Sequence, residues 1–347
     1  METFLVLIKI IVLGILNFFI SLLLFPPLII LLNKIKARKE IMKENAPIFQ
    51  SLHAKKSGTP TMGGLIFWLS PVFLIFLVFL FYLIDKDFGN WINFLNRRET
   101  YLPLGFLILG GIIGAIDDLL GIFALKNRRG LQIKEKLLIY FAFSLIVVWW
   151  FVTKLGIKYI YIPFLGRYYL SLIFFSLFLI IYVIAVSFSS NETDGLDGLL
   201  GGVSLSILGV LAVISFINGN FNLSALTVIV ISSVLCFLWF NVYPAKIFMG
   251  DTGSMALGSY MAIVSLLEGI YFLFPIIAPI FVIESGSVIL QMISKKLFKK
   301  KIFLSTPIHH HFEAKGAHEA NIVFKFWIIN ALGATIGFII FLLDKLR

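Results

Sequence analysis

Residues 169–188 read YLSLIFFSLFLIIYVIAVSF, twenty positions without a charged side chain, and Asn191-Glu-Thr-Asp-Gly-Leu-Asp-Gly198 follows almost at once. At about 1.5 Å per residue, about 20 apolar residues cross about 30 Å of hydrocarbon, so this run is long enough to span a membrane. Backbone N–H and C=O groups find no water in hydrocarbon, and an unpaired strand cannot satisfy them there, so the run is expected to be a helix. Nine more such runs lie at 4–32, 62–84, 102–120, 137–153, 199–217, 223–242, 254–267, 271–294 and 322–343, with 254–267 the shortest. Composition agrees. The 347 residues are 60% apolar and 14% charged, and 37 of them are Phe; a soluble domain carries about 45–50% apolar and about 25% charged residues. A soluble enzyme, a disordered chain and a disulfide scaffold are thereby excluded, and Cys236, the single Cys, has no partner for an intramolecular bridge. The expected fold class is an all-α integral membrane protein, one polytopic domain over residues 1–347, with about ten transmembrane helices. No repeat of 20–50 residues divides it.

The basic residues orient these spans. The run at 4–32 is too long for a signal-peptide core, and its bases follow rather than precede it, so it is expected to be a retained helix. With ten spans and both termini outside, the connections 33–61, 121–136, 243–253 and 295–321 carry nineteen Lys and Arg on the cytoplasmic side, against eight on the outer side. That bias obeys the positive-inside rule. The net charge of +11 is then mainly a topology signal spread over membrane loops, and nucleic-acid binding is not expected. On the outer side, 158–170 alternates as a small hairpin turning near Gly166, 85–100 suits a short interfacial helix, and Trp149, Trp150 and neighbouring tyrosines suit an interfacial belt.

The acidic residues were not used to set this orientation, yet they gather on one side of it. Asp117 and Asp118 end the third run; Asp194 and Asp197 precede the sixth; Asp251, in Gly250-Asp-Thr-Gly253, precedes the eighth. His309, His310 and His311 fall on the same cytoplasmic face, as does Lys56-Ser-Gly-Thr-Pro-Thr-Met-Gly-Gly64. A helix N-cap is an equally good explanation of Asp194 or Asp251 taken singly. It does not explain Asp117-Asp118, because a helix C-terminus disfavours carboxylates; two acids there call for a cation, and acids at a membrane boundary are costly unless they have work to do. Clustered carboxylates suit Mg²⁺, which accepts one or two of them together with waters and phosphates. Zn²⁺ would need a ligand set that consecutive histidines, pointing different ways, do not supply. Lysines, histidines and glycine-rich helix starts suit phosphate. The pattern points to Mg²⁺-assisted phosphoryl chemistry on a lipid at the inner leaflet.

Five segments in this order, KSGTPTMGG (56–64), GAIDDLLG (114–121), NETDGLDGL (191–199), NVYPAKIFMGDTGS (241–254) and TPIHHHFEAKG (306–316), together resemble the polyprenyl-phosphate N-acetylhexosamine-1-phosphate transferases over essentially the whole chain. The triple-His segment and KSGTPTMGG favour the muramoyl-pentapeptide branch over the N-acetylglucosamine branch, which is the main alternative. Glu192 departs from the apolar residue expected there. The resemblance implies a multi-pass enzyme of the bacterial inner membrane, active site to the cytoplasm, that converts UDP-N-acetylmuramoyl-pentapeptide and undecaprenyl phosphate into lipid I and UMP with Mg²⁺, for peptidoglycan synthesis; it also implies a homodimer. By the same token Asp251, Asp117 and Asp118 would serve metal and catalysis, with His309 as a further catalytic residue. Lys56, Thr61, Lys126, Lys134, Asn191, Asp194, Asp197, Asn241, Phe248, His310 and His311 would contact or order the substrates, Phe248 stacking on uracil. An intramembrane prenyltransferase fits less well, because Gly121 stands where a DDxxD motif needs its third Asp. A lipid transporter fits less well because the charges avoid the midplane and no inverted repeat shows. Two further expectations are local: Pro26-Pro27 kinks the first helix, and Glu284 near Gly286 marks a bend in the ninth. Glycine pairs 110/114, 198/202 and 333/337 are expected to pack helices closely.

Overall fold

A computed structural model of the chain describes residues 2–38, 58–123 and 130–347. Within them the protein is an all-α membrane protein. Its helices are α1 (Glu2–Lys34), α2 (Ile66–Ile84), α3 (Lys86–Ile92), α4 (Tyr101–Phe123), α5 (Ile133–Trp149), α6 (Leu172–Thr193), α7 (Leu199–Ile217), α8 (Phe221–Asn241), α9 (Asp251–Leu267), α10 (Phe274–Ile277), α11 (Pro279–Leu297), α12 (Ile308–Ala314) and α13 (Glu319–Lys345). A 3₁₀ turn, Gly63–Leu65, leads into α2, and a wider π turn, Trp150–Leu155, extends α5. Eight helical stretches are long and apolar enough to cross a membrane: α1, Gly63–Ile84, α4, Ile133–Leu155, α6, α7, α8 and α13. Large apolar side chains such as Phe4, Ile84, Phe174 and Trp239 lie exposed on the outside of the bundle, where lipid rather than water suits them.

The remaining two predicted runs are helices of a different character. α9 has only 17 residues, and every one from Asp251 to Leu266 is buried; a helix covered on all sides belongs to the core of a bundle. It packs chiefly on α4 and α6. The predicted single span 271–294 is corrected: the chain turns at 271–273, forms the short α10, and starts again as α11 at Pro279. Proline supplies no N–H and biases the residue before it away from helix, and Ala278 accordingly sits at φ −121°. α11 runs unbroken past Glu284 and Gly286, and α1 runs on through Pro26-Pro27.

Small residues set the α4–α9 distance. A Cβ at Gly110 would stand 2.5 Å from Ser259 Oγ, and one at Gly114 would stand 2.1 Å from the Asp251 carbonyl oxygen. Gly202 faces the Trp327 ring, and Gly333 and Gly337 face Ile276 and Ile277, so these three also pack helices closely, whereas a Cβ at Gly198 would meet nothing nearer than 3.4 Å. Gly114→Ala should therefore push α4 off the start of α9. The expected loss is about 1–3 kcal/mol of stability, read as a lowered unfolding temperature in detergent; an unchanged midpoint would show that the contact is slack. Within the bundle, Asn17 Nδ2 donates to the Ile229 carbonyl, Ser232 Oγ and Ser233 Oγ at 2.8–2.9 Å, and Ser70 links Ser233 to Ser21. Such bonds hold α1, α2 and α8 together where apolar burial alone cannot, since lipid is as apolar as the side chains.

At one end of the bundle β1 (Tyr159–Ile162) and β2 (Gly166–Tyr169) form the predicted hairpin, antiparallel, with Ile162 opposite Gly166. Asp344 ties it to the end of α13, accepting from Tyr161 Oη at 2.7 Å and Phe164 N at 2.6 Å, while Tyr271 Oη accepts from Tyr161 N. The hairpin thus meets the C-terminal end of α9. Asp251 stands at the other end of that helix, about 25 Å away at about 1.5 Å per residue. α3 is the expected short helix, capped by Asp85, which accepts from Asp87 N and Phe88 N.

Candidate active site

The end of α4, the starts of α5 and α9 and the end of α6 bring their polar residues to one point. Lys136, in the first turns of α5, is its centre. Its Nζ donates to Asp117 Oδ2 at 2.9 Å and to Asp251 Oδ1 at 2.9 Å, and lies 3.5 Å from Asn191 Oδ1. Asn191 Nδ2 donates to Asp251 Oδ1 at 2.6 Å and to Ser254 Oγ at 3.0 Å. Asp117 Oδ1 accepts from Leu131 N. The Asp117 side chain is 2% exposed, that of Asp251 10% and that of Lys136 16%, so the cluster opens outward at the lysine.

Asp118 faces elsewhere. It accepts from Asp251 N at 3.2 Å, Thr252 N at 3.0 Å and Thr252 Oγ1 at 2.8 Å, and is buried. These are the first amides of α9, whose own N-cap position is Gly250, a residue without a side chain and at φ +74°. Asp118 therefore caps a helix that is not its own. This resolves the two acids at the end of α4. The N-terminus of α9 favours the negative charge of Asp118, and the ammonium of Lys136 favours that of Asp117. Neither Asp251 nor Asp194 is an N-cap: Asp251 is the first residue of α9, and Asp194 follows the end of α6. Asp118→Ala should cost about 0.5–2 kcal/mol through the lost cap, seen as a lower unfolding temperature. Asp118→Asn, which keeps an acceptor oxygen, should lose less; equal losses would contradict the cap.

Other predicted residues build the walls. Asp197 Oδ2 accepts from Ala245 N at 3.0 Å while its own N–H donates to Glu319 Oε1 at 2.7 Å. Asn241 Oδ1 accepts from Gly198 N at 2.9 Å, and its Nδ2 donates to the Ile247 carbonyl at 2.8 Å. These bonds clip the 194–198 loop to the 242–250 loop. Phe248 N donates to the Pro60 carbonyl at 2.8 Å, and the Phe248 carbonyl accepts from Gly63 N at 2.9 Å, so 60–63 runs beside 248. The Phe248 ring is half-buried, and Thr61 is buried with its N–H on the Ala37 carbonyl. A Cβ at Gly64 would stand 2.2 Å from Gly253 Cα, so only glycine lets this segment lie against α9.

The three histidines have three different partners. His309 is fully buried, with Nδ1 3.0 Å from Glu284 Oε2; His310 Nδ1 is 2.6 Å from Glu313 Oε2; His311 Nδ1 accepts from Leu304 N at 3.1 Å. Lys134 is exposed, two residues before Lys136 and so about 200° around α5 from it. Lys56 and Lys126 lie outside the described residues. Among the described residues, no three His, Cys, Asp or Glu side chains gather as a ready metal cage. What does converge is two carboxylates, Asp117 and Asp251, on one positive charge. That donor set fits Mg²⁺, which asks the protein for one or two carboxylates and takes its other oxygens from water and phosphate.

Residues 56–67 match signature 1 of phospho-N-acetylmuramoyl-pentapeptide-transferase, and residues 101–269 match the model of glycosyl transferase family 4. The phospho-N-acetylmuramoyl-pentapeptide-transferase of Clostridium novyi (strain NT) is 39% identical over 324 residues, which cover 93% of this chain and 94% of the relative. That of Thermoanaerobacter sp. (strain X514) is 35% identical over 336 residues, covering 95% and 98%. The chain belongs to the phospho-N-acetylmuramoyl-pentapeptide-transferase family. It is a transferase and a multi-pass bacterial membrane protein. The family signature contains Thr61, Gly63 and Gly64, the segment laid against Phe248 and α9. The glycosyl transferase match takes in Asp117, Asp118, Lys136, Asn191 and Asp251 together. Sequence reasoning about this transferase missed Lys136, which counted only as one base among the loop charges. A signal was present: Gln132 and Glu135 form a capping box, with Glu135 Oε2 accepting from Gln132 N at 2.9 Å. That box starts α5 and puts Lys136 one turn before the buried Tyr140, on the inward face.

Proposed function

We propose that this chain transfers phospho-N-acetylmuramoyl-pentapeptide from UDP-N-acetylmuramoyl-pentapeptide to undecaprenyl phosphate, giving lipid I and UMP, at the cytoplasmic face of the bacterial inner membrane. The observation that carries this is the ammonium of Lys136 held between Asp117 and Asp251 at the open edge of a buried polar cluster. A phosphate arriving there meets a cation already positioned, which is the main thing phosphoryl transfer asks of a protein. An oxygen of the lipid phosphate attacks the sugar-linked phosphorus of the nucleotide, the pyrophosphate bond breaks, and UMP leaves. Asp117, beside Lys136, accepts the proton of a protonated lipid phosphate. Asp118 fixes the start of α9 and with it Asp251. Asn191 holds the Asp251 carboxylate in place. Lys136 offsets phosphate charge, and Lys56 and Lys126 are proposed to add to it. Asp117 and Asp251 would hold Mg²⁺, which would supply further neutralisation of the pyrophosphate.

The bias of Lys and Arg among the connecting loops supports a cytoplasmic position for the carboxylate end of α9, where a water-soluble nucleotide arrives. Metal dependence gives a direct test. Purified protein with undecaprenyl phosphate and UDP-N-acetylmuramoyl-pentapeptide should release UMP with Mg²⁺ and cease on adding EDTA. Undiminished release in EDTA would remove the metal from this account.

A further inference from the structure

Glu284 and His309 form a second buried contact between polar side chains, and nothing in the mechanism above uses Glu284. Both side chains are essentially fully buried. Nδ1 of His309 lies 3.0 Å from Glu284 Oε2, close enough to pair but out of line for a full hydrogen bond, and among the described residues neither carboxyl oxygen finds another donor. A buried carboxyl group without a hydrogen-bond partner is expensive, so a proton on Nδ1, aligned by a small turn of the ring, would stabilise Glu284 here. His310 packs on His309 with ring centres 4.1 Å apart, and its own Nδ1 is engaged with Glu313.

The far edge of His309 faces the loop that follows α6, the helix whose last turn carries Asn191. A Cβ at Gly195 would stand 2.1 Å from His309 Nε2, so the ring edge presses on the loop between Asp194 and Asp197. Among the described residues that Nε2 is buried and has no partner. We propose that Glu284 is a positioning residue for His309. It keeps the proton on Nδ1, which fixes the tautomer by the bond the other nitrogen makes, and it holds Nε2 against the 194–197 loop, where the phosphate or sugar of the nucleotide binds. The part about substrate rests on the transfer reaction proposed above; the pairing itself does not.

Two experiments separate these parts. With ¹⁵N-histidine label in detergent micelles, the His309 signals are assigned by their loss in His309→Asn. In Glu284→Leu they should change from a protonated toward an unprotonated Nδ1, with the His318 signals in place; Glu284→Gln, which keeps an acceptor oxygen, should restore much of the wild-type pattern. His309 signals that ignore Glu284→Leu would overturn the pairing. In UMP release, Glu284→Leu and His309→Asn should each lower kcat about tenfold or more with KM little changed, and the double variant should be no worse than the weaker single. Multiplying losses, or a loss wholly in KM, would overturn the positioning role. A wild-type chain that releases no UMP would overturn the transfer reaction alone, and the spectra would still decide the pairing.

Discussion

Asp251→Asn is expected to lower UMP release by about a hundred- to a thousandfold, the usual cost of removing one preorganised electrostatic group from a transfer site. It should do so with little change in unfolding temperature. The start of α9 is capped by Asp118, through Asp251 N, Thr252 N and Thr252 Oγ1, and not by the Asp251 side chain. The amide that replaces the carboxylate would still offer an oxygen to Lys136 and to Asn191, so the local bonds survive while the charge is lost. Asp117→Asn should resemble it, whereas Asp118→Asn should show its effect on stability at least as much as on turnover. Steady-state UMP release and thermal unfolding of the same preparations separate the three. Full activity in Asp251→Asn would remove this residue from the reaction centre.

Lys136→Met is expected to have the second large effect. Removing one partner of a buried ion pair costs about 3–5 kcal/mol, because the other charge stays behind unpaired. The lysine side chain is 16% exposed, so water screens part of this and the lower end is expected. In EDTA the variant should unfold well below the wild type. Mg²⁺ should then recover more stability in the variant than it adds to the wild type, because Asp117 and Asp251 converge on the place the ammonium has left. A ligand at about a hundred times its Kd adds about 2.7 kcal/mol. Unfolding curves with EDTA and with Mg²⁺ measure this. Equal Mg²⁺ increments in both proteins would mean that these two carboxylates do not form a cation site.

Much of the fold was legible because hydrocarbon leaves the chain few options. Eight of the ten apolar runs are helices with the length and composition of spans, and the hairpin turns where Gly166 suggested. α9 is less apolar in pattern because protein, not lipid, surrounds it; Ser254, Ser259 and Ser265 are all buried in it. The break before Pro279 was written in the sequence and passed over in favour of hydropathy. In the site, the acids were visible from their position on the charge map, and their division of labour was not. Asp117 and Asp118 are neighbours in sequence, and only packing shows that one meets a lysine and the other a helix N-terminus. Lys136 lies 55 positions from Asn191 and 115 from Asp251, too far for any local pattern to connect. The partner of Glu284 was hidden for the same reason: His309 arrives from another helix.

The choice of nucleotide tests the central claim most directly. Purified protein in micelles, with undecaprenyl phosphate and Mg²⁺, is offered UDP-N-acetylmuramoyl-pentapeptide in one vessel and UDP-N-acetylglucosamine in another, and UMP is measured alongside label in the lipid phase. UMP and lipid-phase label should appear together from the muramoyl-pentapeptide nucleotide, with little or none from the other. Release from UDP-N-acetylglucosamine alone would contradict the account and leave the same fold serving a different sugar.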